Sequence, residues 1–127
     1  MIHISVSLLK FNWHEFYRNS GSFHKIPPNP MFIIDLNYIV PLEELDAHMF
    51  AHVKYLKKYY KKNLFVASGR KVPRTGGVIL CIADSEKEVN KIISEDPFFK
   101  LKLAEFKVTE FLTSQYHPDL EELLRPG

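Results

Sequence analysis

The chain has a single cysteine among its 127 residues, Cys81, set inside the apolar run Val78–Ile82. That excludes an internal disulfide framework and a cysteine-based zinc site. A thiol so placed reads as a small buried hydrophobe in a reducing, cytoplasmic setting. No apolar run approaches the ~20 residues that cross a bilayer, so no membrane partner is expected. A basic leader followed by a small-residue cleavage site is missing, which argues against a secretory signal. The phosphate-cradling pattern Gly-x-x-x-x-Gly-Lys is missing too. The run Gly77–Ile82 lacks the aromatic residues on which an RNA-recognition domain stacks bases. Excess charge is small: the net +2 resides in residues 1–30, while residues 31–127 carry 14 basic and 14 acidic side chains. No nucleic-acid partner is expected for such a balance.

Glycine is scarce, and its placement is informative: three of the five glycines fall within Ala67–Gly77. This stretch, Ala-Ser-Gly-Arg-Lys-Val-Pro-Arg-Thr-Gly-Gly, separates the apolar runs Leu64–Val66 and Val78–Ile82. It is longer than the two to about five residues that join a hairpin. Charge is segregated around it, because residues 54–74 hold eight Lys or Arg and no acid. The plain reading is a solvated turn. The functional reading is an anion cradle, in which Ser68, Gly69, Arg70 and Thr75 approach a ligand and Arg74 grips a carboxylate or phosphate with both guanidinium arms.

With 46% hydrophobic and 25% charged residues, the chain has the make-up of one globular domain. Residues 1–30 stand apart. Ile2, Ile4, Val6 and Leu8 alternate, Phe11, Trp13, Phe16 and Tyr17 follow without a period, and Ile26-Pro27-Pro28-Asn29-Pro30 reads as a linker. They are expected to form an N-terminal extension to a compact domain that starts at Met31. Residues 32–39 read as a strand with Phe32, Ile34, Leu36 and Tyr38 on one face. Pro41 opens a helix over about 42–62, with Leu42, Leu45, Met49, Val53 and Leu56 as its core stripe and His48, His52, Tyr55 and Tyr59 as a second stripe. Asn63 suits a left-handed stop.

Strands at 64–68 and 77–83 flank the glycine-bearing loop. Ser85-Glu86-Lys87-Glu88 is a capping box for a helix with Val89, Ile92 and Ile93 turned inward. Asp96-Pro97-Phe98-Phe99 reads as a turn, Leu103–Leu112 as a fourth strand, and residues 113–127 as a tail with a short helix around Asp119–Leu124. The order β-α-β-β-α-β predicts an α+β, ferredoxin-like unit with an antiparallel sheet and both helices on one face. The opposite face, where the third strand is apolar, needs a cover. A homodimer with sheets packed face to face would supply one.

Two residues outside the loop are candidates for proton chemistry. His52 has a plain reading, a boundary histidine bonded to a backbone carbonyl. With His48 at i, i+4 it has the spacing of a zinc pair, but no nearby Glu, Asp or Cys completes a set, and no metal is expected. Its functional reading is a general acid or base, since imidazole titrates near neutral pH. Asp96 precedes Pro97 and stops a helix whether or not it has a function. It also sits beside Phe98 and Phe99, where a carboxylate can orient an imidazole and stabilise its charged form.

Residues 31–112 resemble the YciI-like family. The resemblance rests on Met31-Phe32-Ile33-Ile34, Pro41-Leu42-Glu43, Ala51-His52…Leu56…Tyr59 and Phe65-Val66-Ala67-Ser68-Gly69-Arg70-Lys71. It continues through Pro73-Arg74-Thr75-Gly76-Gly77-Val78-Ile79-Leu80 and closes with Glu95-Asp96-Pro97-Phe98. It implies a dimeric ferredoxin-like α/β barrel and a cleft in which a His–Asp pair maps onto His52 and Asp96, with Ser68 and Gly69 lining the same cleft. A characterised relative is a dehydrochlorinase of a chlorinated aromatic diol. Asn63 departs from the glycine common at that position, and residues 1–30 have no counterpart.

Together these readings predict a cofactor-independent small-molecule enzyme of lyase or isomerase type. His52 would move a proton, Asp96 would orient it, and Arg74 with neighbouring loop amides would hold an anionic or enol-type oxygen. The partners expected are a second copy of the chain and a small anionic or aromatic molecule. The alternatives are a homodimer that binds a small ligand without turnover, and a partner module acting through residues 1–30.

Overall fold

The computed structural model of the protein describes residues 28–125. The alternation at Ile2–Leu8 and the aromatic cluster after it lie outside the described residues. The first strand, β1 (Met31–Tyr38), is followed by two helices, α1 (Leu42–Asp46) and α2 (Met49–Lys61). Then come β2 (Phe65–Arg70), β3 (Gly76–Ile82), α3 (Glu86–Ile93), α4 (Pro97–Lys100) and β4 (Ala104–Phe111). A 3-10 turn, Pro118–Leu120, leads into α5 (Glu121–Leu124). All strand pairs are antiparallel, in the order β2-β3-β1-β4, which is the ferredoxin-like arrangement.

The pleat sorts the sheet into two faces. Phe32, Ile34 and Leu36 of β1 are buried on the helix side, packed with Ile79, Val89, Phe98 and their neighbours. Truncating one such side chain to alanine costs about 2–5 kcal/mol. Ile33 lies between Leu80 and Thr109, and Asp35 between Val78 and Lys107, on the opposite, outer face. There Lys71 Nζ bridges Asp35 Oδ1 (2.5 Å) and Asn37 Oδ1 (2.8 Å).

Several boundaries differ from expectation, each for a local reason. The single helix over 42–62 is two helices, because His48 (φ −113°, ψ 8°) leaves helical geometry. Of the two stripes the second is the buried one: His52, Tyr55 and Tyr59 face the core, while Val53 is exposed and Met49 and Leu56 are only half-buried. The long loop shrinks to residues 71–75, since β2 continues through Ser68, Gly69 and Arg70 and β3 begins at Gly76. Gly76 is required sterically: a Cβ there would lie 1.8 Å from the Leu36 carbonyl oxygen. The Asp96–Phe99 turn is the start of α4, with Asp96 as N-cap and Pro97 in the first helical turn. Asn63 adopts φ 61° at the end of α2 as its side chain permits. Ser85 caps α3 by accepting from Glu88 N (3.3 Å), whereas the returning bond, Asp84 N to Glu88 Oε2 (3.1 Å), falls one residue earlier than in a strict capping box.

The C-terminal segment is part of the packed structure. Leu124 is buried with Met31 and Ile82 on the outer face, flanked by Val66, Leu80, Tyr116 and Leu120. Asn29 N donates to Leu124 O at 3.1 Å, tying the entry to β1 to α5. One corner of the face that needed a cover is therefore covered by the chain itself, and Ile33, Val78 and Leu80 remain half-exposed.

Candidate functional site

The burial of this second stripe of α2 has a chemical consequence. His52, on its core side, reaches α4: Nδ1 lies 2.9 Å from Asp96 Oδ1. The same carboxylate oxygen accepts from Phe98 N at 2.9 Å, so the helix cap and the imidazole partner are one atom. The His52 ring stacks on Phe98, with centroids 4.0 Å apart and planes within 3°. Asp96 is 0% exposed and His52 8%. Oδ1 is an acceptor, so Nδ1 carries the hydrogen, and in the neutral form of the ring the lone pair is at Nε2. Nε2 has no hydrogen-bond partner among the described residues.

His52 borders a cleft of about 390 Å³ between α2 and the β2–β3 hairpin. Leu36, Met49, Val53, Leu56 and Ile79 supply its apolar wall, and Tyr38, Ser68, Gly69, Arg70 and Arg74 its polar part. Register explains the hairpin's share. Ser68 opposes Ile79 and Arg70 opposes Gly77 on the helix-facing side, while Gly69 opposes Val78 on the outer face and contributes backbone. Ser68 Oγ and Tyr60 Oη are 2.6 Å apart. Burial raises the Tyr38 phenol above its ordinary range against the opposing pull of the nearby Arg74 cation, which keeps a hydroxyl donor in the cleft.

The residues singled out in the sequence divide. His52, Ser68, Gly69, Arg70 and Arg74 line one cleft, and Asp96 stands directly behind His52. Thr75 is outside the lining; its N–H donates to Pro73 O (2.8 Å) and its carbonyl accepts from Tyr38 N (2.9 Å), so it braces the hairpin. Arg74 is already occupied: both guanidinium arms engage the Asp46 carboxylate at the end of α1, one of them at 3.3 Å. That bond holds the Asp46 carboxyl below its ordinary range and the Arg74 cation above its own. The Arg70 side chain makes no hydrogen bond or ion pair among the described residues. Of the aromatic candidates, Tyr38 lines the cleft; Tyr55, whose hydroxyl donates to Ile92 O at 2.8 Å, and Phe98 belong to the core.

Sequence reasoning missed Asp46, whose partner Arg74 is distant in the chain, and Tyr60, whose partner Ser68 lies across the turn from α2 into β2. It also read Met49, Val53 and Leu56 as core. An apolar stripe facing a cleft has the same period as one facing a packed sheet. Among the described residues no group of three or more His, Cys, Asp or Glu is placed to hold a metal ion, and no helix is long and apolar enough to cross a membrane.

A ferredoxin-like α+β fold with a cleft between its long helix and one hairpin defines the class. The YCII-related domain profile matches residues 31–112, and the chain belongs to that family. Among solved structures, 5-chloro-2-hydroxyhydroquinone dehydrochlorinase (TftG) from Burkholderia phenoliruptrix AC1100, in complex with 2,5-dihydroxybenzoquinone, is similar in fold. The match has a TM-score of 0.57 and 23% identity, over 64% of this chain and 92% of that one. No curated protein matches significantly.

Proposed function

We propose that the protein is a cofactor-independent enzyme of lyase or isomerase type acting on a small planar molecule with an anionic or enol-type oxygen. The observation that carries this is the buried His52–Asp96 pair, with Nδ1 committed to the carboxylate at 2.9 Å and the ring edge bordering the cleft. His52 Nε2 accepts a proton from the substrate, and the Asp96 carboxylate stabilises the imidazolium that forms. The electron pair left on the substrate either expels a leaving group, giving a double bond, or takes the proton back at another atom. Arg70 and the Tyr38 hydroxyl stabilise the developing oxyanion, and the walls of Leu36, Met49, Val53 and Leu56 receive an apolar ring. The similar fold of a dehydrochlorinase bound to a planar quinone supports this choice of substrate shape.

Chloride release from chlorinated aromatic diols and triols, followed with the purified protein, tests the reading. His52→Gln should lower turnover by roughly 100-fold or more, the usual contribution of a positioned general base. Asp96→Asn should lower it less and move the pH–rate profile. Turnover unaffected by His52→Gln would sink the proposal; substrate binding without turnover would leave a ligand-binding protein. The same reading includes a homodimer that covers Ile33 and Val78 on the outer face, and light scattering at micromolar concentration should return twice the mass of one chain.

A further inference from the structure

The cleft holds two arginines, and only one of them has its charge free. Arg74 meets Asp46 through both guanidinium arms, and the two formal charges cancel at the rim. Arg70 has no such partner among the described residues and projects from β2 on the same helix-facing side. Of the remaining polar groups bordering the cleft, Tyr38 and Ser68 carry no charge, His52 is paired with Asp96 behind it, and most of the wall is apolar. A ligand that entered with two negative charges would lose water around both and find one free cation.

Resting on the reading of the cleft as the substrate site, we infer that Asp46 is a specificity-determining residue: by occupying Arg74 it sets the cleft to accept one negative charge on an otherwise apolar ring and to reject dianions. Asp46 touches no substrate in this scheme. It acts through Arg74, whose guanidinium it occupies at the edge of the cleft. Freeing Arg74 would give the cleft a second cation with a planar, two-pronged donor set, suited to a second carboxylate or to a phosphate.

Two planar probes separate the possibilities, benzoate with one charge and terephthalate with two, titrated into the full-length protein and followed by shifts of the His52 ring resonances. The wild-type protein should bind benzoate more tightly. Asp46→Asn should shift the affinity ratio toward terephthalate by roughly three- to tenfold, the size expected for one partly solvated charge. Asp46→Glu should restore the wild-type ratio, and the double variant Asp46→Asn/Arg74→Gln should return to a preference for benzoate, since Arg70 is again the single free cation. Binding of both probes with a ratio that Asp46→Asn leaves unchanged would overturn the inference and leave the cleft reading standing. If neither probe perturbs His52 in any variant, the cleft is not an anion site and both fall together.

Discussion

Glu95 and Asp96 are neighbours in the chain, and each carboxylate pairs with a residue of α2, yet the two contacts differ in kind. Glu95 receives Lys58 Nζ at 2.6 Å at the surface, where the acid is 36% exposed and the lysine 49%, and also accepts from the hydroxyl of buried Tyr59. Asp96 is fully enclosed and receives His52 Nδ1 and Phe98 N on one oxygen. Water can replace Lys58 beside Glu95 but not the partners of Asp96. A solvated ion pair of this kind contributes about 0–1 kcal/mol, whereas a buried donor left without its acceptor costs about 1–3 kcal/mol. Adjacent acids in a sequence can thus hold opposite ranks, decided by which side of the following proline turn is enclosed.

The sharpest way to break the comparison is Asp96→Ala, which strands two buried donors and should destabilise the fold by roughly 3 kcal/mol or more, read as a lowered urea midpoint. A midpoint close to wild type would mean that the pair is not enclosed as described. A smaller effect should come from alkaline pH. Burial, reinforced by Asp96, raises the Tyr55 phenol, and burial with the Glu95 bond raises Tyr59. The folded state therefore holds these protons more tightly than the unfolded chain does. Their contribution is complete below the ordinary tyrosine value of 10.0 and is lost as pH rises beyond it. The urea midpoint should fall between pH 9 and pH 11, and less so in Tyr59→Phe.

Cys81 belongs on the enclosed side as well. Burial pushes its thiol up to about 12, so alkylation at pH 8 should be negligible until denaturant is added. The least effect should follow Glu95→Gln, under about 1 kcal/mol and vanishing in high salt. Lys58 and Tyr59 hold the Glu95 carboxyl below its ordinary value of 4.5. That small contribution is present above pH 4.5 and lost as pH falls through the lowered value.

Much of this was legible beforehand where the information is local. The alternation in β1, the Ser85 cap, the left-handed Asn63 and the strand–helix order all depend on neighbours a few residues apart. His52 and Asp96 were legible as candidates because each carries a residue type and a setting suited to proton transfer. What was not legible depends on distant pairing. The break at His48 is invisible to a period count that runs smoothly through it, and such a count does not say which of two adjacent stripes, the one with Val53 and Leu56 or the one with His52, Tyr55 and Tyr59, is enclosed. Arg74 is an unoccupied cation in the sequence and becomes half of an ion pair only when the hairpin meets the end of α1. The docking of Leu124 depends on a corner formed by Met31 and Ile82, strand ends far apart in the chain.

That last contact predicts a folding unit larger than the family match. The family match ends at Leu112, but the clamp over Met31 and Ile82 is made by residues beyond it. A gene fragment cut to the family boundary would leave an oily corner beside the N-terminal entry of β1, and it should come out of expression as aggregate. Fragments that retain residues up to Arg125 should stay dispersed. That outcome would draw the practical boundary of this domain at its last buried leucine.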